Sequence, residues 1–325
     1  MQSVRGSGFW VPEFTCSRIP VFTDSRVERF FLNKDFRAGF VAIIGRPNVG
    51  KSTLMNNLLG EKLSIISPKP QTTRQQIKGI LTDDDKQIIF LDTPGYLEPR
   101  YLLQEKMLEY IQNSLQDSDL IIFLTDVRNF PTDYDAQICN ILKKLRIPKI
   151  AMLNKIDLAE KQIIQEKQVL VEKENFEKVI PISALYFKDF DDIIKLITSF
   201  LPYNPPFYDK GSISDLPMRF FAQEIIREQI FLNFKEEIPY SSTVVVEYYH
   251  EYPNKVEIAA NIWLERKSQK PIVLGRNGEK IKMIRMNSER EIYKVISKKV
   301  KLDLWIKIKP NWRKKRNALK EFGYR

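Results

Sequence analysis

The chain has 325 residues, of which 43% are apolar and 29% charged, with a formal net charge of +11. That length suits two domains with ordinary cores, and the longest apolar runs, such as Leu120 to Leu124, are far too short to span a bilayer. Two cysteines, Cys16 and Cys139, and one histidine, His250, exclude a disulfide framework, a Cys or His metal centre, and Ser-His-Asp or Cys-His catalysis.

Residues 1 to 38 mix Phe9, Trp10, Phe14, Phe30 and Phe31 with scattered charges and show no period. No apolar run follows a basic start, so no signal peptide is expected. The segment stays an unassigned extension. Phe40 to Ile44 is a short β-branched apolar run, hence a buried strand. Gly45-Arg46-Pro47-Asn48-Val49-Gly50-Lys51-Ser52 follows and fits a phosphate loop at every fixed position. Its glycines admit a polyphosphate against the backbone, and the N–H groups of the following helix, Ser52 to Leu59, add positive charge. Lys51 reaches the β- and γ-phosphates and Ser52 a Mg²⁺ ion.

Pro68 to Arg74 reads as a loop in the place where nucleotide switches keep a mobile segment. Thr72 or Thr73 is expected to bring a hydroxyl to Mg²⁺. Ile77 to Leu81 and Gln87 to Leu91 form a hairpin that runs into Asp92-Thr93-Pro94-Gly95. An Asp ending an apolar strand holds Mg²⁺ through water, and the Gly95 N–H senses the γ-phosphate. Tyr96 occupies the place where many small GTPases keep a Gln to orient water, so slow turnover is expected. Helices are expected over 101–116, 134–145 and 189–200, and strands over 120–124 and 150–153. Asn154-Lys155-Ile156-Asp157 ends the second of these strands. Asp157 accepts from guanine N1–H and its amine, Asn154 binds the N7 side, and the Lys155 stem packs over the base. Ser183-Ala184 follows a strand, with the Ala184 N–H set for the guanine O6. Strands alternating with helices imply an α/β, doubly wound, mostly parallel sheet over 39–203, with its ligand at the strand carboxyl ends.

Residues 204–217, dense in Pro, Gly, Ser and Asp, read as a linker. The last part, 218–325, reads helix, strand, strand, helix, Gly275-Arg276-Asn277-Gly278, helix, strand. The long basic helix is expected to reach about Val300. From Pro217 to Arg325 there are 24 Lys and Arg against 13 Asp and Glu, whereas residues 1–216 hold 28 of each. A basic third should meet a polyanion. G-x-x-G between two helices is the signature of an α+β type II KH domain, which lets an RNA backbone approach closely. Lys280, Lys282 and Arg285 stand where phosphates pass. The tail, with Trp312 beside Arg313-Lys314-Lys315-Arg316, either extends the RNA surface or is a solvated end.

A P-loop GTPase domain followed by one KH-like domain resembles the Era family of bacterial GTPases over Gly39 to Tyr324. The likeness is carried by GRPNVGKST, QTTR, DTPG, NKID and LDLWIKIKPNW. It implies GTP hydrolysis coupled to binding the 3′ end of small-subunit ribosomal RNA during maturation of that subunit. It implies a cytosolic protein, partly associated with the inner membrane face; a monomer is expected. By this resemblance residues 45–53, Asp92 to Tyr96, Asn154, Lys155, Asp157, Ser183 and Ala184 hold GTP or GDP. Ser52, Thr73 and Asp92 hold Mg²⁺, and Lys51, Asn48, Thr73, Asp92 and Gly95 carry the catalysis. Asn48 helps hold a K⁺ ion that replaces an arginine finger. Three other readings stay open: an RNA-binding module with incidental hydrolysis, a GTPase of tRNA modification, and a membrane-associated cell-cycle regulator. The absence of any cysteine after Cys139 counts against the tRNA reading.

Overall fold

The computed structural model describes residues 35–186 and 190–324. The extension up to residue 34, residue 189 of the expected helix and Arg325 lie outside the described residues.

Among the described residues, nine strands fall into two sheets. The first has the order β2-β3-β1-β4-β5-β6. Its strands are β1 (Arg37–Ile44), β2 (Ile77–Thr82), β3 (Lys86–Asp92), β4 (Leu120–Asp126), β5 (Lys149–Asn154) and β6 (Lys178–Pro181). Only the β2–β3 hairpin pairs antiparallel. β4 is buried along its whole length, as expected of a parallel strand covered on both faces. Successive residues of β1 serve opposite layers. Val41 and Ile43 pack with Leu54, Ile122 and Ile197, while Ala42 and Ile44 pack with Ile111, Phe123 and Ile138. The covering helices are α1 (Lys51–Leu59), α2 (Leu102–Gln116), α3 (Asp133–Leu142), α4 (Lys161–Glu172) and α5 (Asp191–Phe200). Parallel strands all leave the sheet at one edge, so the loops after β1, β3 and β5 converge there.

The segment read as a linker is held along the sheet. Ile80 N donates to Ile213 O at 3.0 Å, and Gln87 Oε1 accepts from the amides of Phe207 and Tyr208. Its composition marks irregular backbone, but those backbone groups find partners on β2 and β3.

The second sheet, β7-β8-β9, pairs β7 (Ser242–Glu251) antiparallel and β9 (Lys299–Ile308) parallel to β8 (Lys255–Leu264). Helices α6 (Met218–Asn233) and α9 (Glu279–Ile296) cover one face. Ile226, Ile230, Val244, Ile258, Ile284 and Leu302 form the core between them. Two short helices, α7 (Ile238–Ser241) and α8 (Gln269–Leu274), complete the unit before the tail. The basic helix stops at Ile296 rather than near Val300. Ser297 takes a left-handed cap (φ 54°), and Val300 belongs to β9. The helix expected over 134–145 closes at Leu142. Helix α4 escaped the sequence reading because Val171 is its one fully buried side chain, so it carries a faint apolar stripe.

The tail departs from both expectations at Trp312, while Lys314, Lys315 and Arg316 stay exposed as either of them requires. Trp312 is neither solvated nor available to RNA: its side chain is 0% exposed. Its indole Nε1–H donates to Ser241 O at 2.9 Å. With Leu319, Phe322 and Tyr324, on and after α10 (Arg316–Glu321), it packs against Leu103 and Met107 of α2. The C-terminal segment therefore joins the two sheets' units by burying apolar surface between them.

Candidate nucleotide site and its contacts with the basic domain

Helix α1 begins at Gly50 with no side-chain cap, so its first N–H groups face the phosphate-loop cleft. The cleft has a volume of about 400 Å³ and is lined by Pro47, Asn48, Gly50, Lys51, Ser52, Thr53, Thr73, Gly95, Arg128 and Lys155, among others. The phosphate loop, the Pro68–Arg74 loop and the DTPG turn thus share one cavity. Lys51 Nζ donates to the carbonyls of Gly45 and Arg46, each at 3.1 Å. Burial lowers the Lys51 ammonium to about 8; Asp92 opposes that shift and Arg46 adds to it. Arg46 itself turns away toward α3, where it meets the buried Asp135 at 3.5 Å.

Ser52 Oγ donates to Asp92 Oδ2 at 2.7 Å and lies 3.0 Å from Thr73 Oγ1. Asp92 is fully buried, and its Oδ1 has no hydrogen-bond partner. Burial raises its carboxyl, with Lys51 and the Ser52 hydroxyl opposing. Two hydroxyls and one carboxylate with an unsatisfied oxygen, beside a phosphate cleft, fit Mg²⁺, which takes few protein carboxylates and fills its octahedron with waters and phosphate oxygens. The two threonines of the loop are separated by the geometry. Thr73 joins this cluster, whereas Thr72 Oγ1 donates to Lys69 O.

Gly95 lies against the phosphate loop, where a Cβ would sit 2.7 Å from Pro47 Cα. The next amide, Tyr96 N–H, donates to Gly45 O at 3.1 Å. Thr93 Oγ1 donates to Ile43 O, and Pro94 is buried beside it. The Tyr96 ring packs edge-on to Tyr134 of α3, with centroids 6.4 Å apart. It does not line the cleft.

Asn154 is 2% exposed, and its carboxamide ties three segments together. Nδ2 donates to Val49 O at 2.7 Å, while Oδ1 accepts from the amides of Lys155 and Ala184. Lys155 Nζ reaches Asn48 O at 2.6 Å and the Asp126 carboxylate at 2.9 Å. Burial would raise that carboxyl, but bonds from Arg128 and Lys155 hold it well below the usual range. Ser183 Oγ donates to Asp157 Oδ1, so the residues of the two base motifs meet beside the cleft.

The loop that brings Thr73 to Asp92 is also held by the basic domain, which the sequence did not reveal. Arg74, the next residue, is 1% exposed. Its guanidinium donates to Ser242 O and Pro239 O, both at 2.8 Å, and to Tyr240 O at 3.3 Å. Lys69 Nζ donates to the carbonyls of Phe231 and Phe234. Glu228 of α6 accepts from Lys62 Nζ at 2.7 Å and from the Ile66 amide at 3.0 Å. Asn48 Nδ2 holds the same loop from the phosphate side through Pro68 O at 2.8 Å. The available signal was an Arg directly after the switch threonines, a polar residue with no phosphate role assigned to it.

In the basic domain, Gly275 (φ 75°) and Gly278 frame the turn before α9, with Arg276 and Asn277 exposed on it. Lys282 and Arg285 line a groove of about 330 Å³ with Ile281, Asp303, Leu304 and Trp305. Lys280 stands apart from that pair, its ammonium 5.6 Å over the Phe234 ring.

Fold and site together define a P-loop GTPase domain joined to a KH domain. A family model described as a 50S ribosome-binding GTPase matches residues 40–155, and a KH domain model matches residues 237–313. The chain is 43% identical over 291 residues to GTPase Era of Halothermothrix orenii, covering 89% of this chain and 99% of that one. It is 40% identical over 293 residues to GTPase Era of Lactobacillus helveticus, covering 90% and 97%. A crystal structure of Era in complex with MgGDPNP and nucleotides 1506–1542 of 16S ribosomal RNA superposes with a TM-score of 0.86 at 37% identity, covering 89% of this chain and 99% of that chain. An Aquifex aeolicus Era variant bound to GDP·AlF4⁻ superposes equally well. The chain belongs to the Era family of GTPases.

Proposed function

We propose that this GTPase is a GTP-gated factor that binds the 3′ end of small-subunit ribosomal RNA and acts in maturation of the small subunit. One observation carries the gating. Thr73 stands at the Ser52–Asp92 cluster, and the adjacent Arg74 is buried among carbonyls of the KH domain. A movement of Thr73 therefore cannot leave Arg74 unaffected.

In this reading residues 45–53 and the N-terminus of α1 cradle the phosphates, with the Lys51 ammonium against the β- and γ-oxygens. Ser52, Thr73 and Asp92 would hold Mg²⁺, which supplies charge that neutralises the phosphate oxygens. Asn48 would help hold K⁺, in the part an arginine plays elsewhere. Asp157, Asn154, Ser183 and Ala184 select guanine, and Lys155 covers it. Tyr96 is engaged with Tyr134, so the attacking water is left to other groups and intrinsic turnover is slow. Loss of the γ-phosphate frees Thr73 and the Gly95 amide, and the loop then pulls on its KH anchors. The route to RNA is short. Lys69 holds the Phe234 carbonyl, and the Phe234 ring carries Lys280, two residues after the G-x-x-G turn. Gly275 to Gly278 admit the RNA backbone, and Lys280, Lys282 and Arg285 meet its phosphates.

No helix among the described residues is long and apolar enough to cross a membrane. The protein then works in the cytoplasm, where GTP and the assembling subunit are. The basic last third would give it peripheral contact with the inner membrane face. The test is binding of a labelled oligonucleotide from the RNA 3′ end, with GDP and with a non-hydrolysable GTP analogue, at two salt concentrations. Tighter binding with the analogue and a steep salt slope are expected. Equal binding in both nucleotide states would remove the gate.

A further inference from the structure

The outer face of the β7-β8-β9 sheet, turned away from α6 and α9, is divided in two. Strand register places Val245, Asn261 and Trp305 in one row, Tyr248, Ala259 and Asp303 in the next, and His250, Glu257 and Lys301 in the third. Residues opposite one another share a face. Val246, Ile258, Ala260 and Leu302 point the other way, into the core. Toward one end, Val245 and Trp263 pack under Trp312 and Phe322. Beyond them the face is open: Tyr248 is 46% and Trp305 51% exposed, and His250 and Lys301 are exposed too.

This open half is an aromatic shelf. The Tyr248 and His250 rings are nearly parallel, 20° apart, with centroids at 6.1 Å. Tyr252 meets His250 edge-on at 4.4 Å, and Lys255 Nζ lies 4.8 Å over Tyr252. Ala259 presents only a methyl group between Tyr248 and the β9 edge. Trp305 at that edge also lines the groove with Lys282 and Arg285, so groove and shelf are continuous around β9. Lys299 and Lys301 lie along the same edge. Asp303 and Glu257 are the acidic groups of the three rows, and Glu247 at the β7 bulge joins them, its Oε1 accepting from Asn261 Nδ2 at 2.7 Å; Glu257 is paired with Lys255 at 2.9 Å and with Lys301 at 3.8 Å.

We propose that this half-sheet is a second RNA surface, on which nucleotides flanking those in the groove cross β9 at Trp305 and stack on Tyr248 and His250. It rests on the reading that the groove takes single-stranded RNA. Rings with lysines at their margins are what unpaired bases and their phosphates require. The large exposed apolar side chains on this half are both aromatic, Tyr248 and Trp305, where membrane contact would call for aliphatic ones as well.

The test compares a short oligonucleotide from the small-subunit RNA 3′ end, about the four nucleotides that a KH groove clamps, with the same sequence carrying flanking nucleotides. The full chain should bind the longer one about five- to a hundredfold tighter for each base stacked. A Tyr248→Ala, His250→Ala variant should lose that gain and keep its affinity for the short one. Tyr248→Phe, which keeps the ring, should retain the gain. A longer oligonucleotide bound no tighter than the short one overturns this proposal and leaves the groove reading standing. Failure of the short and long oligonucleotides alike overturns both. If anionic phospholipid vesicles bind through Tyr248 while the flanking nucleotides add nothing, the face is a membrane contact and the proposal falls.

Discussion

Removing the Arg74 guanidinium should uncouple the two domains without touching a nucleotide contact. Its two bonds at 2.8 Å join a charged donor to buried carbonyls, at about 1.5–3 kcal/mol each. Against that stands its Nε, buried with no hydrogen-bond partner, a cost of about 1–3 kcal/mol. Arg74→Ala should therefore weaken the docking of the loop on the KH domain by about 2–3 kcal/mol, roughly 30- to 150-fold in a docking equilibrium. The assay is the ratio of RNA Kd values measured with GDP and with a GTP analogue. In the native chain that ratio should exceed one. In Arg74→Ala it should fall toward one, with the Lys69 and Glu228 contacts left in place, while GDP affinity stays unchanged. Arg74→Lys, with one compact ammonium in place of a planar fork, should restore only part of it. An Arg74→Ala chain whose RNA affinity still follows the nucleotide as strongly as the native one would refute the route through Thr73 and Arg74.

Three further outcomes are expected. Lys51 is buried and lowered to about 8 from 10.5, whereas a bound phosphate favours its charged form. Nucleotide binding should then take up a proton between pH 8 and 10.5, and affinity should fall by up to about tenfold per pH unit there. Over the same window the unfolded chain holds the proton that the folded one has lost, so Lys51 makes the nucleotide-free fold more stable as pH rises. GDP titration calorimetry near pH 7 and 9, in buffers of different ionisation heat, tests this; a flat affinity without proton uptake contradicts it. Asp157→Ala should remove the preference for GTP over ATP, a loss of roughly a hundredfold or more in a competition assay. Gly275→Asp puts a Cβ about 2.7 Å from Lys280 Cγ at a φ of 75° and sets a carboxylate where phosphates pass. RNA affinity should drop by about tenfold or more, with GTP affinity unchanged; unchanged RNA affinity would contradict the KH reading.

Local chemistry made much of this protein legible in one dimension. The phosphate loop, the Asp92 turn, the 154–157 guanine motif and the 275–278 turn each need particular residue types at fixed spacing, because a short backbone segment has to meet a phosphate or a base. Buried parallel strands leave unbroken apolar runs, and the alternation along β9 is a half-covered face written into the chain. The sequence thereby determined two folded units, their order and the classes of ligand they meet. Only the tertiary structure decided how they are joined. Arg74 reads as one more polar loop residue until its carbonyl partners, more than 160 positions away, are brought beside it. Trp312 reads as part of a charged tail until α2 supplies the apolar surface that buries it. Thr72 and Thr73 are equivalent in sequence, and the loop's path alone turns one toward Asp92 and the other toward Lys69. Contacts between segments distant in the chain depend on complementary shape and on pairing every buried polar group, and neither leaves a periodic trace in the residues of one segment.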